Sequence, residues 1–265
     1  ADRWVFKVAP LVVLMSTLLL YVALPASMRL VVADLDVGVF FVLAISSLSV
    51  IGVLMAGWAS ASKYSLMGAL RAAGQLIAYE LPMVLAVVGV IIQAGTMSLN
   101  GIVFAQADGA IFGWGGIGNP YILTQFVGFF IFIAAVQAEL TQPPFDMPVA
   151  ESEIVSGYQV EYTGFRFLIF FLAEFATAFA FAAIAAVLFL GGWAVPWLPT
   201  SSDWYYVLGP IVLFAKVMMV AFIIFWVRFT YPRFREDQLQ SLAWKVLIPL
   251  ALVNIVVTAA LKVVL

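Results

Sequence analysis

Residues 138–164 read AELTQPPFDMPVAESEIVSGYQVEYTG, and the rest of the chain is organised around this stretch. The stretch holds five of the chain's 14 acidic residues and neither lysine nor arginine, and long apolar segments flank it on both sides. Carboxylates beside segments of this hydrophobicity are costly to keep and usually functional in membrane proteins. The pattern therefore predicts a functional acidic segment surrounded by apolar helices.

The composition is that of an integral membrane protein. Of the 265 residues, 65% are hydrophobic and 10% are charged, whereas a soluble domain is about a quarter charged. The apolar runs are continuous rather than alternating, which favours membrane helices over an outer-membrane barrel. The net charge of -2 and the lack of a basic run give no indication of nucleic-acid binding.

Cysteine and histidine are both absent. The chain therefore has no disulfide, no cysteine-ligated iron–sulfur cluster and none of the usual histidine ligands of haem or zinc. No spacing is typical of a calcium or magnesium loop, so we predict no metal site. A G-x-G-x-x-G pattern at residues 113–118 lies between two membrane segments, outside any strand–helix unit, and is interpreted as a glycine-rich turn.

Seven segments are long and apolar enough to cross a membrane, which takes roughly 20 residues. They predict an all-α fold, a polytopic membrane helical bundle that forms one domain over residues 1–265. The segments are approximately 6–27, 37–57, 76–95, 121–140, 165–190, 207–227 and 243–264.

The basic residues predict the orientation, because cytoplasmic loops carry the excess of lysine and arginine. Alternation through seven helices places nine basic residues on one side and only Arg29 and Lys262 on the other. We expect the first side to be cytoplasmic, with the N-terminus inside and the C-terminus outside. An acidic loop (residues 141–164) and a basic loop (residues 228–242) then lie in the cytoplasm. The nine residues are Arg3, Lys7, Lys63, Arg71, Arg166, Arg228, Arg233, Arg235 and Lys245.

Two interpretations of the acidic loop are open. Its prolines end the preceding helix, and Asp146 is predicted to cap a following helix whose positive N-terminal end favours Glu151 and Glu153. On the first interpretation these acids only neutralise a helix terminus. On the second, Asp146 and Glu153 share a helical face and Glu161 follows, so that several carboxylates lie within proton-relay distance at the bilayer edge.

Further ionisable residues lie within the membrane segments. A charge at the bilayer centre costs about 2.5–3.5 kcal/mol on insertion scales. Glu139 and Glu174 lie near helix ends, where long side chains reach the interface, but Glu80 and Lys216 lie deeper. One interpretation pairs Lys216 with Glu80 or with an acid of residues 139–161. The other is a proton path or a polar ligand cavity.

Four stretches together resemble one family. Besides residues 138–164 they are GWAS at 57–60 with KYS at 63–65, ALRAAGQ at 69–75 leading to YELP at 79–82, and YPRFREDQ at 231–238 with WK at 244–245. In this order they resemble the quinone-site membrane subunit of respiratory complex I, known in mitochondria as NADH dehydrogenase subunit 1 and in bacteria as the H subunit. The resemblance covers nearly the whole chain.

The resemblance implies a role in a proton-translocating NADH:quinone oxidoreductase. The chain would form part of the quinone chamber, link the peripheral and membrane arms and begin the proton path, without activity alone and without a catalytic redox centre. Quinone would be a substrate bound at a subunit interface, and this chain would hold no haem, iron–sulfur or flavin group. By motif, the proton path comprises Glu80, Glu139, Asp146, Glu151, Glu153 and Glu161. The quinone chamber and its surroundings comprise Arg71, Lys216, Arg228, Arg233, Arg235 and Asp237.

Partners and location are implied in the same way. The expected partners are iron–sulfur and quinone-site subunits of the peripheral arm, small membrane subunits and antiporter-like subunits, in a lipid membrane and without nucleic acid. The expected location is the inner (plasma) membrane of a bacterial cell. The alternative within the superfamily is the homologous anchor of a membrane-bound hydrogenase or of a ferredoxin- or F420-linked dehydrogenase. A self-sufficient transporter would show paired halves with broken helices, and none is visible.

Three features depart from the family pattern. The family has eight membrane helices, and its first helix and following loop would precede Ala1. The common Asn-Arg before the Pro-Phe-Asp is Thr141-Gln142, and the common Pro-Glu-Ala-Glu has Val149 in place of its first acid. One cation and one acid are therefore missing, and the two losses cancel in charge.

The predicted topology is testable because the chain contains no cysteine. A single cysteine in Ser152→Cys should react with a membrane-impermeant maleimide only from the cytoplasmic side, and one in Asp36→Cys only from the opposite side. Labelling of position 152 exclusively from the periplasm would contradict the orientation.

Overall fold

Helices form the scaffold of the chain. The computed structural model describes residues 2–109, 118–195, 198 and 204–264, and these ranges contain helices, turns and coil but no strand. The all-α prediction is confirmed. The helices are α1 (Arg3–Val22), α2 (Gly38–Ala59), α3 (Lys63–Ala94), α4 (Leu99–Ala107), α5 (Phe126–Glu139), α6 (Glu151–Ile154), a 3-10 turn (Gly157–Gln159), α7 (Phe165–Phe189), α8 (Tyr205–Thr230), α9 (Glu236–Leu242), a π-helical turn (Ala243–Leu247) and α10 (Ile248–Val264).

Six helical stretches in the described part of the chain are long and apolar enough to cross a membrane. They are α1, α2, α3, α7, α8 and the continuous stretch Glu236–Val263. The remaining predicted segment, 121–140, is the 14-residue α5. At about 1.5 Å per residue this helix spans ~21 Å, less than the ~30 Å of a bilayer core. A seventh span therefore stays a prediction.

Several helix boundaries differ from the predicted ones. Helix α3 begins at Lys63 rather than near residue 76, because the small buried residues of its first half pack closely against neighbouring segments. The predicted loop 96–120 contains α4, whose N-cap Ser98 accepts a hydrogen bond from the Gly101 amide at 3.2 Å. The predicted basic loop, residues 228–242, is mostly helical, and only the coil between α8 and α9 remains a loop. Residues 113–117 of the glycine-rich pattern lie outside the described residues.

Helix α3 is the centre of the bundle. It packs against α2, α5, α10 and the 3-10 turn, while α1 contacts α2 and α7, and α7 contacts α8. The core between these helices is fully apolar around Met83 of α3, Phe132 of α5 and Phe181 of α7, all of them buried. The N-terminal half of α3 is thereby available to the acidic loop.

The acidic loop folds directly onto α3. A Cβ on Gly68 would lie 2.6 Å from the Gly157 Cα, so both segments need glycine at the crossing. Nearby, the Ser65 hydroxyl donates to the Tyr158 carbonyl at 3.2 Å. The predicted cap at Asp146 is wrong: α6 begins only at Glu151, with Ala150 at its N-cap. The prolines before residue 150 keep this part of the chain in turns, so Asp146 and Glu153 do not share a helix.

Glycine is required at position 157, where φ is +53° and a Cβ would lie 1.7 Å from the Pro148 carbonyl oxygen. We expect Gly157→Ala to lower the unfolding free energy by at least ~1 kcal/mol, the usual penalty of a left-handed non-glycine residue, with the clash added. Gly74→Ala is the matched control, because a Cβ there meets nothing within 4 Å and alanine favours a helix by ~0.5–1 kcal/mol. Thermal unfolding in detergent should separate the two variants; equal melting temperatures would contradict the crossing.

Candidate functional site

Glu153 lies between two arginines at the predicted cytoplasmic end of the bundle. Its Oε2 accepts from Arg71 Nη1 at 2.7 Å and its Oε1 accepts from Arg233 Nη2 at 3.0 Å. Arg71 Nε also lies 3.9 Å from the Glu236 carboxylate. We call Arg71, Glu153 and Arg233 the arginine clamp. It joins α3, α6 and the coil before α9.

Local contacts hold these three segments together. Phe234, next to Arg233, donates its amide to the Pro144 carbonyl at 3.0 Å. The ring of Phe145 lies between Tyr79, at 5.3 Å between ring centroids, and Phe234, at 5.4 Å. Gln75 Nε2 donates to the carbonyls of Ala138 and Phe145 at 2.8 and 2.7 Å. The clamp is therefore positioned by buried contacts beneath it.

The clamp changes the acidity of its carboxylate. The hydrogen bond from Arg71, followed by the charge of Arg233, lowers the pKa of Glu153 below its ordinary value of 4.5. Glu153 is 48% exposed, whereas the arginine side chains are 23% and 25% exposed. Two partly buried guanidinium groups thus hold one carboxylate in its ionised form at neutral pH.

A second charged group lies at the adjoining ends of α7 and α8. Gln142 Nε2 donates to Glu174 Oε1 at 3.0 Å, and Arg228 Nη1 lies 3.9 Å from the same oxygen. The Arg228 guanidinium lies over the rings of Phe175 and Phe229, at 5.5 and 5.8 Å from their centroids. Gln142 is one of the positions that depart from the family pattern, and here its amide contacts a carboxylate directly.

Glu80 and Glu139 lie deeper. The Ser47 hydroxyl on α2 donates to Glu80 Oε1 on α3. Glu139 ends α5, and its Oε2 is buried with no hydrogen-bond partner among the described residues. Ser47 was not singled out in the sequence. An isolated hydroxyl in an apolar helix was the signal that could have identified it.

The other predicted site residues are spread more widely. Arg235 and Asp237 form an exposed pair, with Arg235 Nε 3.2 Å from Asp237 Oδ1. Glu161 is exposed and Asp146 is partly buried. The backbone of Glu151 opens α6, but its side chain lies outside the described residues.

Lys216 lies away from the clamp. Its ammonium donates to the carbonyls of Gly192 and Ala194 at 2.8 and 2.9 Å, in the turn that follows α7. The expected pairing with Glu80 or an acid of residues 139–161 is wrong. The side chain reaches instead toward the opposite end of the bundle, where free carbonyls after a helix end accept its protons.

The fold and the clamp define a polytopic helical membrane protein with a charged site at one end. Within its described residues there is no group of three or more metal-binding side chains. The chain belongs to the NADH dehydrogenase family, whose sequence profile matches residues 1–259.

Individual relatives agree over nearly the whole chain. It is 44% identical over 259 residues to the NADH-quinone oxidoreductase H subunit of Brevibacillus brevis, and the match covers 98% of this chain and 73% of that protein. It is 47% identical over 270 residues to the NADH-quinone oxidoreductase H 2 subunit of Syntrophobacter fumaroxidans, with 98% and 76% covered. For the NADH-quinone oxidoreductase H subunit of Dehalococcoides mccartyi the values are 42% over 260 residues, with 98% and 68% covered. The family resemblance is confirmed.

The clamp predicts a defined acid sensitivity. A lowered carboxylate pKa contributes stability that is fully present above the ordinary value of 4.5 and is lost as pH falls through the lowered value. We therefore expect the melting temperature of wild type in detergent to fall more steeply than that of Glu153→Gln between about pH 5 and pH 3. Asp237→Asn is the control, because its pair with Arg235 is exposed and contributes about 0–1 kcal/mol. Parallel curves for wild type and Glu153→Gln would contradict the clamp.

Proposed function

We propose that this chain is the membrane subunit of a proton-translocating NADH:quinone oxidoreductase that helps form the quinone chamber, begins the proton path and links the two arms. The chain would act as one membrane domain with seven spans, the acidic loop facing the cytoplasm of a bacterial cell. Its partners would be iron–sulfur and quinone-site subunits on that face, and small and antiporter-like subunits in the membrane. The homologous anchor of a hydrogenase or of a ferredoxin- or F420-linked dehydrogenase is the alternative.

The arginine clamp carries the proposal. Its three residues come from three separate stretches of the family pattern, at 69–75, 138–164 and 231–238, and they meet within hydrogen-bond distance. Charged residues that come from distant parts of the sequence and meet in a membrane protein indicate a shared function, because each charge must be compensated at the bilayer edge. Forming a chamber in which charge changes during the reaction would be such a function.

The neighbouring surface fits an amphiphilic quinone. Large aromatic side chains are exposed at the start of α7 and the end of α8: Phe165 is 74% exposed, and Phe229, under the Arg228 guanidinium, is 83% exposed. These rings suit an apolar tail. The guanidinium groups of Arg71, Arg228 and Arg233 supply the hydrogen-bond donors that a polar quinone head requires.

The proposed coupling follows from electrostatics. Reduction of a quinone to a quinol consumes two protons, and negative charge arriving before those protons raises the proton affinity of nearby acids in a low-dielectric site. Closely spaced acids titrate as a group. Protons taken up near Asp146 and Glu153 would pass to Glu139 and Glu80, inward along α5 and α3.

The intact complex tests this function. Purified in mild detergent, the chain should bring with it flavin, iron–sulfur and antiporter-like subunits; a nickel–iron hydrogenase subunit in their place would establish the alternative. In that complex, Glu153→Gln and Asp146→Asn should assemble normally, because the amides keep the size of the side chain and one acceptor oxygen. Quinone reduction and proton pumping should both fall, while electron transfer from NADH to ferricyanide should be unchanged.

Two results would contradict the proposal. If activity loss merely follows loss of assembled complex, the acids serve to dock the peripheral arm. If assembled variants keep wild-type quinone turnover and proton yield, the acidic loop carries no protons. Thr230→Val is the matched control, because within the described residues its hydroxyl donates to the Trp226 carbonyl of its own helix at 2.7 Å.

A further inference from the structure

An apolar groove lies at the end of the bundle opposite the arginine clamp. Its volume is about 650 Å³, within the range of roughly 300–1,000 Å³ that is usual for sites of organic ligands. One wall is the end of α1 with the segment that follows it, the other wall is α8, and the floor is α7. Helices α1 and α8 both pack against α7 and make few contacts with each other. The groove is the space that remains between them.

The groove has the length and the chemistry of a site for a lipid tail. Along α8 its wall extends from Pro210 to Val217, which at 1.5 Å per residue is about 10 Å of the helix axis. One leaflet of a hydrocarbon core ~30 Å thick measures ~15 Å, so the groove follows about two thirds of a leaflet. Phe179 and Ala183 form the floor. The small side chain of Ala183 leaves room for an occupant.

One positive charge lies in the wall, at the outer end of the groove. Among the described residues that line the groove only Arg29 is charged, and its side chain is exposed. Arg29 forms no ion pair with any residue that the structure describes. The nearest acids along the chain do not line the groove: Asp34 accepts a hydrogen bond from the Ser98 hydroxyl at 3.4 Å, and Asp36 also lies outside the wall. The groove is therefore apolar along its length and cationic at its outer end.

The segment that carries Arg29 is fixed to the helices on both sides. The Ser27 hydroxyl donates to the Tyr205 carbonyl at the start of α8, at 2.6 Å, and Asn100 Nδ2 of α4 donates to the Met28 carbonyl at 3.1 Å. The two residues that precede Arg29 are thus held in place without a ligand. A site ordered in advance loses less conformational entropy when its ligand binds.

These features favour an anionic phospholipid as the occupant. A guanidinium group can donate two parallel hydrogen bonds to the free oxygens of a phosphate, whereas an apolar protein helix would leave the charge of Arg29 uncompensated. A zwitterionic lipid carries its own ammonium group, which competes for the phosphate. We propose that this groove binds an anionic phospholipid, with one acyl chain along α7 and α8 and the phosphate at Arg29. The inference goes beyond the proposed function and does not depend on it.

The experiment compares two lipids that carry the same photoreactive tail. Phosphatidylglycerol and phosphatidylcholine, each with a diazirine in one acyl chain, are incorporated in turn into nanodiscs that hold the purified membrane complex. After irradiation, mass spectrometry of the digested chain identifies the labelled peptides. Arg29→Gln removes the charge, Arg29→Lys keeps it, and Ala183→Phe fills the groove. Lys63→Gln is the matched control, because it removes one exposed positive charge at the first residue of α3, outside the groove.

We expect phosphatidylglycerol to label residues 179–183 and 213–217 of wild type roughly fivefold more than phosphatidylcholine does, the preference that one basic side chain supplies near an anionic headgroup. Arg29→Gln should lower labelling by phosphatidylglycerol to the level of phosphatidylcholine. Arg29→Lys should keep most of the preference, because a lysine retains the charge but not the paired hydrogen bonds. Ala183→Phe should reduce labelling by both lipids, and Lys63→Gln should behave as wild type.

Four results would overturn the proposal. Equal labelling of wild type by the two lipids would mean that the groove holds ordinary bilayer lipid without recognition of the headgroup. The same loss in Lys63→Gln as in Arg29→Gln would indicate a general effect of surface charge. Full labelling by phosphatidylglycerol in Arg29→Gln would show that Arg29 does not bind the phosphate. Absence of labelling by either lipid, with a protein helix in the groove in a cryo-electron map of the complex, would show that polypeptide covers it.

The readout is independent of quinone turnover. If Ala183→Phe does not assemble, the comparison of Arg29→Gln with Arg29→Lys decides, because the Arg29 side chain is exposed and its replacement leaves the core unchanged. The proposed function can fail while selective labelling of the groove establishes the lipid site, and the lipid site can fail while quinone reduction and proton pumping establish the proposed function.

Discussion

The ionic contact of Glu153 with Arg71 and Arg233 is the constraint on which this end of the bundle depends. It is the point where α3, the acidic loop and the coil before α9 meet. Removing the carboxylate would take from two partly buried guanidinium groups the acid that they share, which is costly even where an ion pair itself adds little stability. The glycine crossing at residues 68 and 157 allows the loop to approach closely enough for the contact to form.

Charges within the bundle are accommodated in three different ways. The clamp pairs opposite charges directly. Lys216 reaches the carbonyls of the turn after α7, so that backbone oxygens replace an acidic partner. Glu139 has neither solution among the described residues: its Oε2 is buried without a hydrogen-bond partner, and the residue lines a small cavity. The first two solutions satisfy the rule that polar groups in a membrane must find internal partners.

Sequence patterns predicted the helices better than the contacts between them. Continuous apolar runs located the membrane helices, and short motifs identified Arg71, Glu153 and Arg233. Periodicity could not show that α3 begins at Lys63, because its first half is rich in small residues rather than in strongly apolar ones. The position of Lys216 within its apolar segment predicted that it lies inside the membrane. The position could not show toward which end of the bundle the side chain extends. The hydrogen bond from Gln142 to Glu174 depends on how the acidic loop folds, and no rule of sequence spacing predicts it.

The lowered pKa of Glu153 bears on how the site would respond to its substrate. A carboxylate held by two arginines is a poor proton carrier at neutral pH, because both contacts favour its ionised form. Under the proposed function, negative charge developing on a bound quinone competes for the same guanidinium groups. Any arginine drawn toward the quinone releases Glu153, whose proton affinity then rises toward that of an ordinary carboxylate. The arginine clamp would thus translate a change in charge at the quinone into a change in the proton affinity of Glu153.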